Sequence, residues 1–428
     1  MASGFDSSSH SSGPGMGGRF SLRSLKTFTS FKNPIYRIYY AGLIFNMAPQ
    51  NMQMMARSLL IYRLTGSASI LGLMSLANAL PMLFLSLYGG VVADRVQKKF
   101  VIIAGQAASA VVSLGVALAL SLGYLSADVE GSWWILMVSS LLQGTAWGLM
   151  MPSRQAIVRE IVSEEDLMNA LSLSTMGMNA LRLLAPALTG FLIEFFDFSA
   201  VYFTMTGLYG LACVFIAFLP RTSTITIRGG GAVSAVKEGF KYILRETHLL
   251  YVLMFTLLAV ILSMPYMMLL PIFTEDILKV GASGMGLLMS ISGVGAIVGS
   301  LVLASLPNKK RGLMLLASCL FMGVALTAFS FSNTWSLSLL FIIFVGLGQT
   351  GRMTLANTLL QYYSDDEYRG RVMSIYMMEF GLTSFGTFAA GIMADSIGVQ
   401  WAVGGFAMTL IVVATFGLIF LKKLRRLD

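Results

Sequence analysis

Residues 88–99 lie between two long apolar segments and read Tyr88-Gly89-Gly90-Val91-Val92-Ala93-Asp94-Arg95-Val96-Gln97-Lys98-Lys99. The glycine pair carries no side-chain bulk, so the helix that contains it can pack closely against a neighbour. Asp94 stands at the end of the first apolar segment, where its carboxylate can accept hydrogen bonds from the N-terminus of another helix. The cations that follow favour a cytoplasmic position. This junction predicts a short cytoplasmic connection between two membrane-spanning helices.

Apolar segments of spanning length recur along the whole chain. A transmembrane helix needs about 20 mostly apolar residues. Hydrophobic residues make up 56% of the 428 and charged residues 11%, with a mean hydropathy of +0.77, whereas soluble domains carry about 25% charged residues. The chain is therefore predicted to be an all-α membrane protein with twelve transmembrane helices. The spans centre near 38–63, 68–92, 100–125, 133–158, 169–194, 199–219, 248–273, 284–306, 312–331, 335–358, 372–395 and 401–421.

Lysines and arginines are concentrated on one side of the predicted membrane. They lie in the N-terminal tail, in the loops after every second span and in the C-terminal tail, whereas the opposite loops carry mainly acidic residues. Short loops rich in Lys and Arg stay in the cytoplasm. The pattern predicts a multi-pass protein of the bacterial cytoplasmic (inner) membrane with both termini cytoplasmic. The net charge of +9 then reflects topology and does not indicate a nucleic-acid partner.

The longest polar interruption divides the spans into two groups of six. Its second part reads as an amphipathic helix suited to the headgroup region, because Phe240 and Leu244 share one face and Lys237 and Lys241 another. We predict five regions. They are a disordered cytoplasmic tail at 1–33, a six-helix bundle at 34–221, a cytoplasmic linker with the amphipathic helix at 222–247, a second six-helix bundle at 248–422 and a cytoplasmic tail at 423–428.

The two groups of spans resemble each other at an offset of about 200 residues. Gly144 in span 4 corresponds to Gly346 in span 10, and the stretch 190–194, which ends span 5 with a glutamate, corresponds to 391–395, which ends span 11 with an aspartate. Such internal symmetry is typical of transporters whose substrate site lies between the halves near the membrane midplane. It predicts two pseudo-symmetric six-helix bundles in a monomer.

Several motifs resemble those of the major facilitator superfamily, in the branch of siderophore exporters and multidrug efflux proteins. Residues 88–99 resemble its loop 2–3 signature, and further matches are Pro152-x-Arg154-Gln155-Ala156, Arg182-Leu183-Leu184-Ala185-Pro186 and Arg369-Gly370-Arg371-Val372-Met373-Ser374. The resemblance covers about 35–422. It implies two six-helix bundles around a central cavity and export of small molecules, usually against a proton gradient. It also implies an arginine at position 140, where this chain has Ser140.

Residues in two of these motifs are candidates for gating. A contact that forms in one conformation and breaks in the other can act as a gate, and a plain anchoring turn is the alternative. The resemblance favours the gate. The candidates are Gly90, Asp94, Arg95, Arg182 and Pro186.

Span 1 carries a narrow polar stripe made of Asn46, Gln50, Gln53 and Arg57. Spacings of 4, 3 and 4 place these residues within about 60° on one helix face. An arginine in the middle of a spanning helix costs about 2.5–3.5 kcal/mol, so it must face protein or water. Arg57 is interpreted either as a ligand for an anionic or carbonyl-rich group or as part of a buried ion pair with a neighbouring span.

Span 4 repeats this pattern with Gln143, Trp147 and Arg154 on one face. Trp147 can stack on a flat or cationic substrate, or it can serve in packing or as an interface anchor. Arg154, like Arg182, belongs to a motif of the resembling family, which favours a structural role over direct substrate contact. We nevertheless include all three span 4 residues among the substrate-binding candidates.

Spans 10 and 11 supply the remaining candidates, which are Gln349, Arg352, Tyr376 and Glu379. Glu379 is the carboxylate placed well inside a span, which makes it the candidate for proton coupling. A fixed salt bridge to Arg352 is the alternative. The two roles are compatible, because a proton that breaks the pair couples protonation to movement.

The intramembrane arginines predict a cationic, hydrated cavity suited to anionic substrates, whereas methionines in spans 1, 4 and 7 suit varied apolar shapes. We therefore predict a transporter that exports an amphipathic or anionic small molecule, siderophore- or drug-like, by alternating access coupled to protons. The alternatives are a lysophospholipid or lipid transporter with a side opening, and a non-transporting sensor or assembly factor on the same fold. Neither a nucleotide-binding loop nor a catalytic or metal-ligand cluster is evident, so we expect no enzyme activity, metal or cofactor.

Overall fold

The computed structural model describes residues 28–220, 232–307 and 309–427, and within these ranges the chain is helical and contains no β-strand. The predictions made for 1–27 and for 222–231 fall outside the described residues. A short 3₁₀ turn at Thr29–Lys32 precedes the first long helix.

The first bundle consists of six helices. They are α1 (Pro34–Thr65), α2 (Ala68–Arg95), α3 (Lys98–Ser121), α4 (Trp134–Ile161), α5 (Glu164–Phe195) and α6 (Phe198–Ala217). Local sequence sets several ends. The Asn33 side chain accepts hydrogen bonds from the first turn of α1, and Ser67 and Ser163 cap α2 and α5 in the same way. Gly66 ends α1 in the left-handed region at φ 62°, which a glycine adopts without strain.

The second bundle repeats this arrangement after the linker helix α7 (Ala232–Arg245). Span 7 is broken into α8 (Thr247–Ser263), α9 (Pro265–Ile272) and a π-helical turn at Phe273–Ile277. Pro265 begins α9, because proline has no backbone N–H and its ring interrupts a continuing helix. The other spans are α10 (Gly281–Ser305), α11 (Arg311–Ser330), α12 (Trp335–Tyr363), α13 (Arg369–Ile397) and α14 (Val399–Phe420), followed by α15 (Lys422–Arg425).

Ten of these segments, with α8 to the π-helical turn counted as one, are long and apolar enough to cross a membrane. The helices α1 and α13 have 32 and 29 residues and are of spanning length as well. Both carry polar and charged side chains along their length, which dilutes their apolar character. The all-α fold of two six-helix bundles predicted from the sequence is the fold that the structure has.

The bundles are built on equivalent close helix contacts. A Cβ at Gly144 of α4 would collide with the backbone of Asn78 in α2, and a Cβ at Gly346 of α12 would collide with the backbone of Ser292 in α10. The sequence signature contributes as well, since a Cβ at Gly89 would lie 2.7 Å from the carbonyl oxygen of residue 148 in α4. Small residues thus allow the spans to pack at backbone distance.

The linker helix α7 packs against the beginning of α13. Arg371 Nη1 lies 3.1 Å from Glu238 Oε2, and the ring of Tyr242 stacks on that of Tyr368 with a centroid distance of 4.3 Å. The hydroxyl of Tyr242 accepts a hydrogen bond from the backbone N–H of Asp365 at 3.1 Å. Burial raises the pKa of Tyr242 above its ordinary value. These contacts attach the linker to the side of the protein where α1 begins and α14 ends, which we call the terminal face; the other side is the opposite face.

Candidate functional site

A cavity lies between the two bundles and has two connected parts. The inner chamber, of about 70 Å³, is lined by α1, α5, α9, α10 and α12. The vestibule, of about 390 Å³, is lined by α5, α10 and α12. Residues shared by both parts are Arg182, Gly293, Ala296, Thr350 and Met353. Together we call these parts the central cavity.

The vestibule extends toward the terminal face. On α5 it runs from Arg182 back to Thr175, on α10 forward to Ser300 and on α12 forward to Thr358. Each of these directions leads to the helix end at the terminal face. The central cavity is therefore accessible from the terminal face.

The opposite face is closed by contacts between the bundles. Arg63 at the end of α1 forms an ion pair with Glu275 of the π-helical turn at 2.8 Å. Its guanidinium also lies over the ring of Phe198. Beside this pair, the hydroxyl of Tyr62 donates a hydrogen bond to the carboxylate of Asp276. These contacts join α1 to the broken span 7.

Two carboxylates close the same face in a pseudo-symmetric way. Glu194 of α5 accepts a hydrogen bond from the backbone N–H of Ser283 in α10 at 3.1 Å. Asp395 of α13 accepts hydrogen bonds from the backbone N–H groups of Ala68 and Ser69 in α2 at 2.8 and 2.9 Å. Each carboxylate thus caps a helix of the other bundle, where the unpaired N–H groups of the first turn favour negative charge.

Arg182 is the charged side chain on the wall of the central cavity. It is solvent-exposed, and it makes neither a hydrogen bond nor an ion pair with any residue that the structure describes. The sequence placed Arg182 among the gating residues together with Pro186, which also lines the inner chamber. The backbone of Pro186 additionally contacts α10 so closely that a Cβ at Gly286 would lie 2.5 Å from its carbonyl oxygen. Both residues therefore stand where the cavity meets the α5–α10 contact.

The polar stripes of α1 and α4 face each other within the first bundle, away from the lining of the central cavity. Asn46, Gln53 and Arg57 of α1 are buried, as are Gln143 and Arg154 of α4, whereas Gln50 and Trp147 are half-buried. The sequence left open whether Arg57 binds substrate or forms an ion pair. No carboxylate lies within salt-bridge distance of it among the described residues, so the ion pair is not formed in this conformation.

Hydrogen bonds connect the two stripes. Arg57 Nη1 donates to Ser140 Oγ at 3.2 Å, so a guanidinium from α1 reaches the position at which the family resemblance implied an arginine of α4. Arg154 Nη1 donates to Asn46 Oδ1 at 2.9 Å, and its guanidinium lies 5.5 Å from the ring of Trp147. A substrate role for these stripes stays a prediction.

The candidates of α12 and α13 divide between the cavity and the second bundle. Gln349 lines the inner chamber, whereas Arg352, Tyr376 and Glu379 are buried in the second bundle. Thr256 of α8 donates a hydrogen bond to Glu379 Oε1 at 2.6 Å, and Glu379 Oε2 has no partner among the described atoms. Arg352 lies in electrostatic range of Glu379 but does not form a salt bridge with it.

The gating signature at the end of α2 is described in part. The exposure of Gly90 and the side chain of Asp94 are not among the features that the structure describes. Arg95 is exposed at the terminal face, Lys98 pairs with Glu160 at 2.5 Å, and Lys99 donates hydrogen bonds to carbonyl groups at the end of α6. The two lysines at the end of the signature thus anchor α3 to its own bundle, and the gating role of Gly90, Asp94 and Arg95 stays a prediction.

Several residues of the cavity wall were not among the binding candidates chosen from the sequence. Asn51 and Met54 come from a face of α1 next to the polar stripe, and Thr175 and Asn179 come from α5. A usable signal was present, because Thr175, Asn179, Arg182 and Pro186 follow each other at spacings of 4, 3 and 4, like the stripe of α1.

Two six-helix bundles that enclose a cavity, sealed on one face and open on the other, define a membrane transporter of the major facilitator type. The chain belongs to the transmembrane secretion effector family of that superfamily, whose model matches residues 25–428. It is thus a multi-pass transporter of small molecules in a bacterial cell membrane, and its family and relatives are transporters rather than enzymes.

Similar proteins include transporters of different cargo. The chain is 23% identical over 336 residues to the Staphyloferrin A transporter of Staphylococcus aureus, covering 78% of this chain and 83% of that protein. It is 24% identical over 419 residues to Macrolide efflux protein A of Streptococcus pyogenes, covering 94% and 100%. Among solved structures, the nucleoside transporter NupG has the same fold with a TM-score of 0.72 at 13% identity, covering 90% of this chain and 100% of that chain.

Proposed function

We propose that this protein exports an anionic or amphipathic small molecule across the cytoplasmic membrane and that protons moving inward drive the export. One observation carries the proposal. Arg182 is an exposed cation without a protein counter-ion on the wall of a cavity that is accessible from the terminal face. A guanidinium is a fork of donors matched to carboxylates and similar anions.

The direction of export follows from the charge of the loops. The terminal face carries the lysine- and arginine-rich connections, which stay in the cytoplasm. Both termini are then cytoplasmic, and the central cavity is loaded from inside the cell. The monomer is sufficient for this function, because both bundles and the cavity come from one chain.

The rest of the wall suits an amphipathic substrate. Asn51 and Gln349 offer amides, whereas Met54, Met267 and Met353 offer flexible thioethers that adapt to varied shapes. The names of the relatives support small-molecule transport of this kind, since one is named for a siderophore and others for macrolide or multidrug efflux.

Glu379 is the candidate for proton coupling because residues 248–273, 281–307, 309–363 and 369–394 contain no other carboxylate. It lies on α13, which also carries the Asp395 cap at the opposite face. A protonation change at Glu379 therefore acts on a helix that takes part in closing the opposite face. Arg352 lies in electrostatic range of Glu379, so a change in the charge of Glu379 changes the electrostatic interaction between the two side chains.

The test is flux into proteoliposomes of the purified protein. A panel of radiolabelled probes would contain a tricarboxylate (citrate), a catecholate (2,3-dihydroxybenzoate) and a macrolide (erythromycin). We expect saturable flux of at least one anionic probe, reduced tenfold or more in Arg182→Gln, because a hydrogen bond to a charged group contributes about 1.5–3 kcal/mol. Arg159→Gln removes an exposed cation from α4 and serves as the matched control. Anion flux that is equal in wild type and Arg182→Gln would contradict the proposal.

Lipid transport is a second candidate, because the vestibule reaches the seam between α5 and α10. Asn179 and Ile297 line it from the two sides of this seam, and Ile297 is 46% exposed. A lipid headgroup entering sideways would meet Arg182. Transfer of a fluorescent lysophospholipid between leaflets, measured by back-extraction with albumin, separates this candidate from export of soluble anions. Absence of flux for every probe would favour the sensor or assembly factor.

A further inference from the structure

Among the side chains that the structure describes, the first bundle buries arginines but no aspartate or glutamate. Arg57 and Arg154 are 6% and 8% exposed. The segments that form the bundle interior contain neither aspartate nor glutamate, as residues 34–93, 98–127, 131–159, 167–193 and 198–220 show. The second bundle differs, because its buried Arg352 lies in electrostatic range of Glu379. An uncompensated buried charge is costly, so a compensating group from outside the chain is expected.

The surroundings of Arg57 offer hydrogen-bond donors that no protein atom uses. Tyr202 lies in electrostatic range of Arg57. Arg57 Nε and the hydroxyl of Tyr202 are buried and have no partner among the described atoms. Tyr209 lies in electrostatic range of Arg57 and accepts a hydrogen bond from Gln143 Nε2 at 3.1 Å, which leaves its own hydroxyl hydrogen available. The carbonyl oxygen of Gln143 also has no partner among the described atoms. N–H and O–H donors that no described protein atom uses therefore lie beside a buried cation.

We propose that Arg57, Tyr202 and Tyr209 form a buried anion-binding site between α1, α4 and α6, separate from the central cavity. The ligand is a small monovalent anion that accepts hydrogen bonds from the guanidinium and the phenols. Chloride from solution and a carboxylate of the transported molecule share this chemistry. Arg154 lies on the other side of Tyr209, in electrostatic range of it, and adds positive potential to the same region. The site does not depend on the proposed direction of transport or on proton coupling.

The test uses the purified full-length protein in detergent, with sodium isethionate replaced stepwise by sodium chloride or sodium acetate at constant ionic strength. An anion that binds the folded state raises Tm in a concentration-dependent and saturable way. We expect this rise for the wild type. A response to chloride identifies an inorganic anion as sufficient, and a response to acetate alone identifies a carboxylate; both support the site.

Variants separate binding from a structural role. Tyr202→Phe removes a hydroxyl that has no protein partner, so its Tm in isethionate should match the wild type while the anion concentration for half the shift rises about fivefold or more. Arg57→Gln should lose the response, Arg57→Lys should keep a weakened one, and Arg159→Gln should respond like the wild type. If Arg57→Gln does not fold, the anion-dependent Tm of Tyr202→Phe tests the proposal on its own.

The proposal is overturned if neither anion shifts Tm of the wild type, or if Tyr202→Phe and the Arg57 variants respond as the wild type does. Arg182→Gln distinguishes the two proposals, because it removes the cation of the central cavity and should lose anion flux, while the part of the Tm response that depends on Arg57 and Tyr202 remains. A negative flux experiment thus contradicts export but not the buried anion site. A negative Tm experiment contradicts the buried anion site but not export.

Discussion

Glu194 and Asp395 occupy equivalent positions in the two bundles, and each carboxylate caps the first turn of a helix in the other bundle. The glycines four residues earlier in each helix, Gly190 and Gly391, let the partner helix approach to backbone distance. Besides the contacts of α1 with span 7, the opposite face is thus closed by the same arrangement twice, a close glycine contact followed by a carboxylate cap. Opening that face requires both caps to break.

Removing both caps should shift the protein toward a conformation open at the opposite face. A carboxylate at a helix N-terminus contributes about 0.3–1 kcal/mol, so Glu194→Gln with Asp395→Asn should change the ratio of open to closed several-fold. The measurement is the spin-label distance between Val129→Cys and Thr334→Cys, which lie in loops of the two bundles at the opposite face. Cys213 and Cys319 are first replaced by alanine.

The matched control for this experiment is Asp197→Asn. Asp197 caps α6 by accepting a hydrogen bond from the backbone N–H of Ala200 at 2.9 Å, within its own bundle. It has the same chemistry but no part in joining the bundles. An equal distance change in the control, or no change in the double variant, would refute the role of the two caps.

Gly286→Ala should weaken closure at the same face. The added Cβ would lie 2.5 Å from the carbonyl oxygen of Pro186, so α5 and α10 must separate. Gly207→Ala, in the middle of α6 with open space around it, is the control. That change should be neutral or raise Tm, because alanine favours a helix over glycine by about 1 kcal/mol. The prediction fails if Gly286→Ala also raises Tm and leaves the spin-label distance unchanged.

The fold could be predicted largely from the sequence, whereas only part of the cavity wall, such as Arg182 and Gln349, could. The length of the apolar segments and the repeat linking Gly144 to Gly346 depend on local composition, which the sequence contains directly. Which side of α1 faces the cavity depends on the rotation of the helix in its bundle. Asn51 and Gln53 are two residues apart, yet the first lines the cavity and the second is buried outside its lining.

The intramembrane arginines also made the substrate-binding residues hard to predict from the sequence. Arg57 and Arg182 look alike in an apolar span, but Arg57 is buried and donates to Ser140, whereas Arg182 is exposed in the cavity. Helical spacing cannot distinguish a bundle interior from a bundle interface, because both bury a narrow polar stripe away from lipid. Tertiary packing decides between them.

Cysteines in the vestibule should react from the cytoplasmic side alone in this conformation. Asn179→Cys and Thr354→Cys are exposed there, so a membrane-impermeant methanethiosulfonate should label them in inside-out vesicles but not in right-side-out vesicles. Leu173→Cys, on the same helix α5 but 2% exposed, should stay unlabelled in both. Labelling of Asn179→Cys from the outside alone would invert the proposed topology.

Replacing Arg182 by methionine should change selectivity rather than abolish transport. The wall of the central cavity would then lose its cation and gain another thioether, so flux of anions should fall tenfold or more while that of a macrolide, which carries no negative charge, is kept. Competition between citrate and erythromycin in the same proteoliposomes measures the ratio. A parallel loss of both probes would show that Arg182 serves structure instead of anion recognition.

Coupling to protons is tested most directly by recording lumenal pH and substrate uptake together in proteoliposomes loaded with pyranine. With the best-transported anion of the panel added outside, antiport predicts that the lumen becomes alkaline as substrate enters and protons leave. Glu379→Gln should abolish the pH change while retaining exchange of labelled for unlabelled substrate. Uptake by the wild type without any change in lumenal pH, or an unaltered pH change in Glu379→Gln, would contradict proton-driven export through this carboxylate.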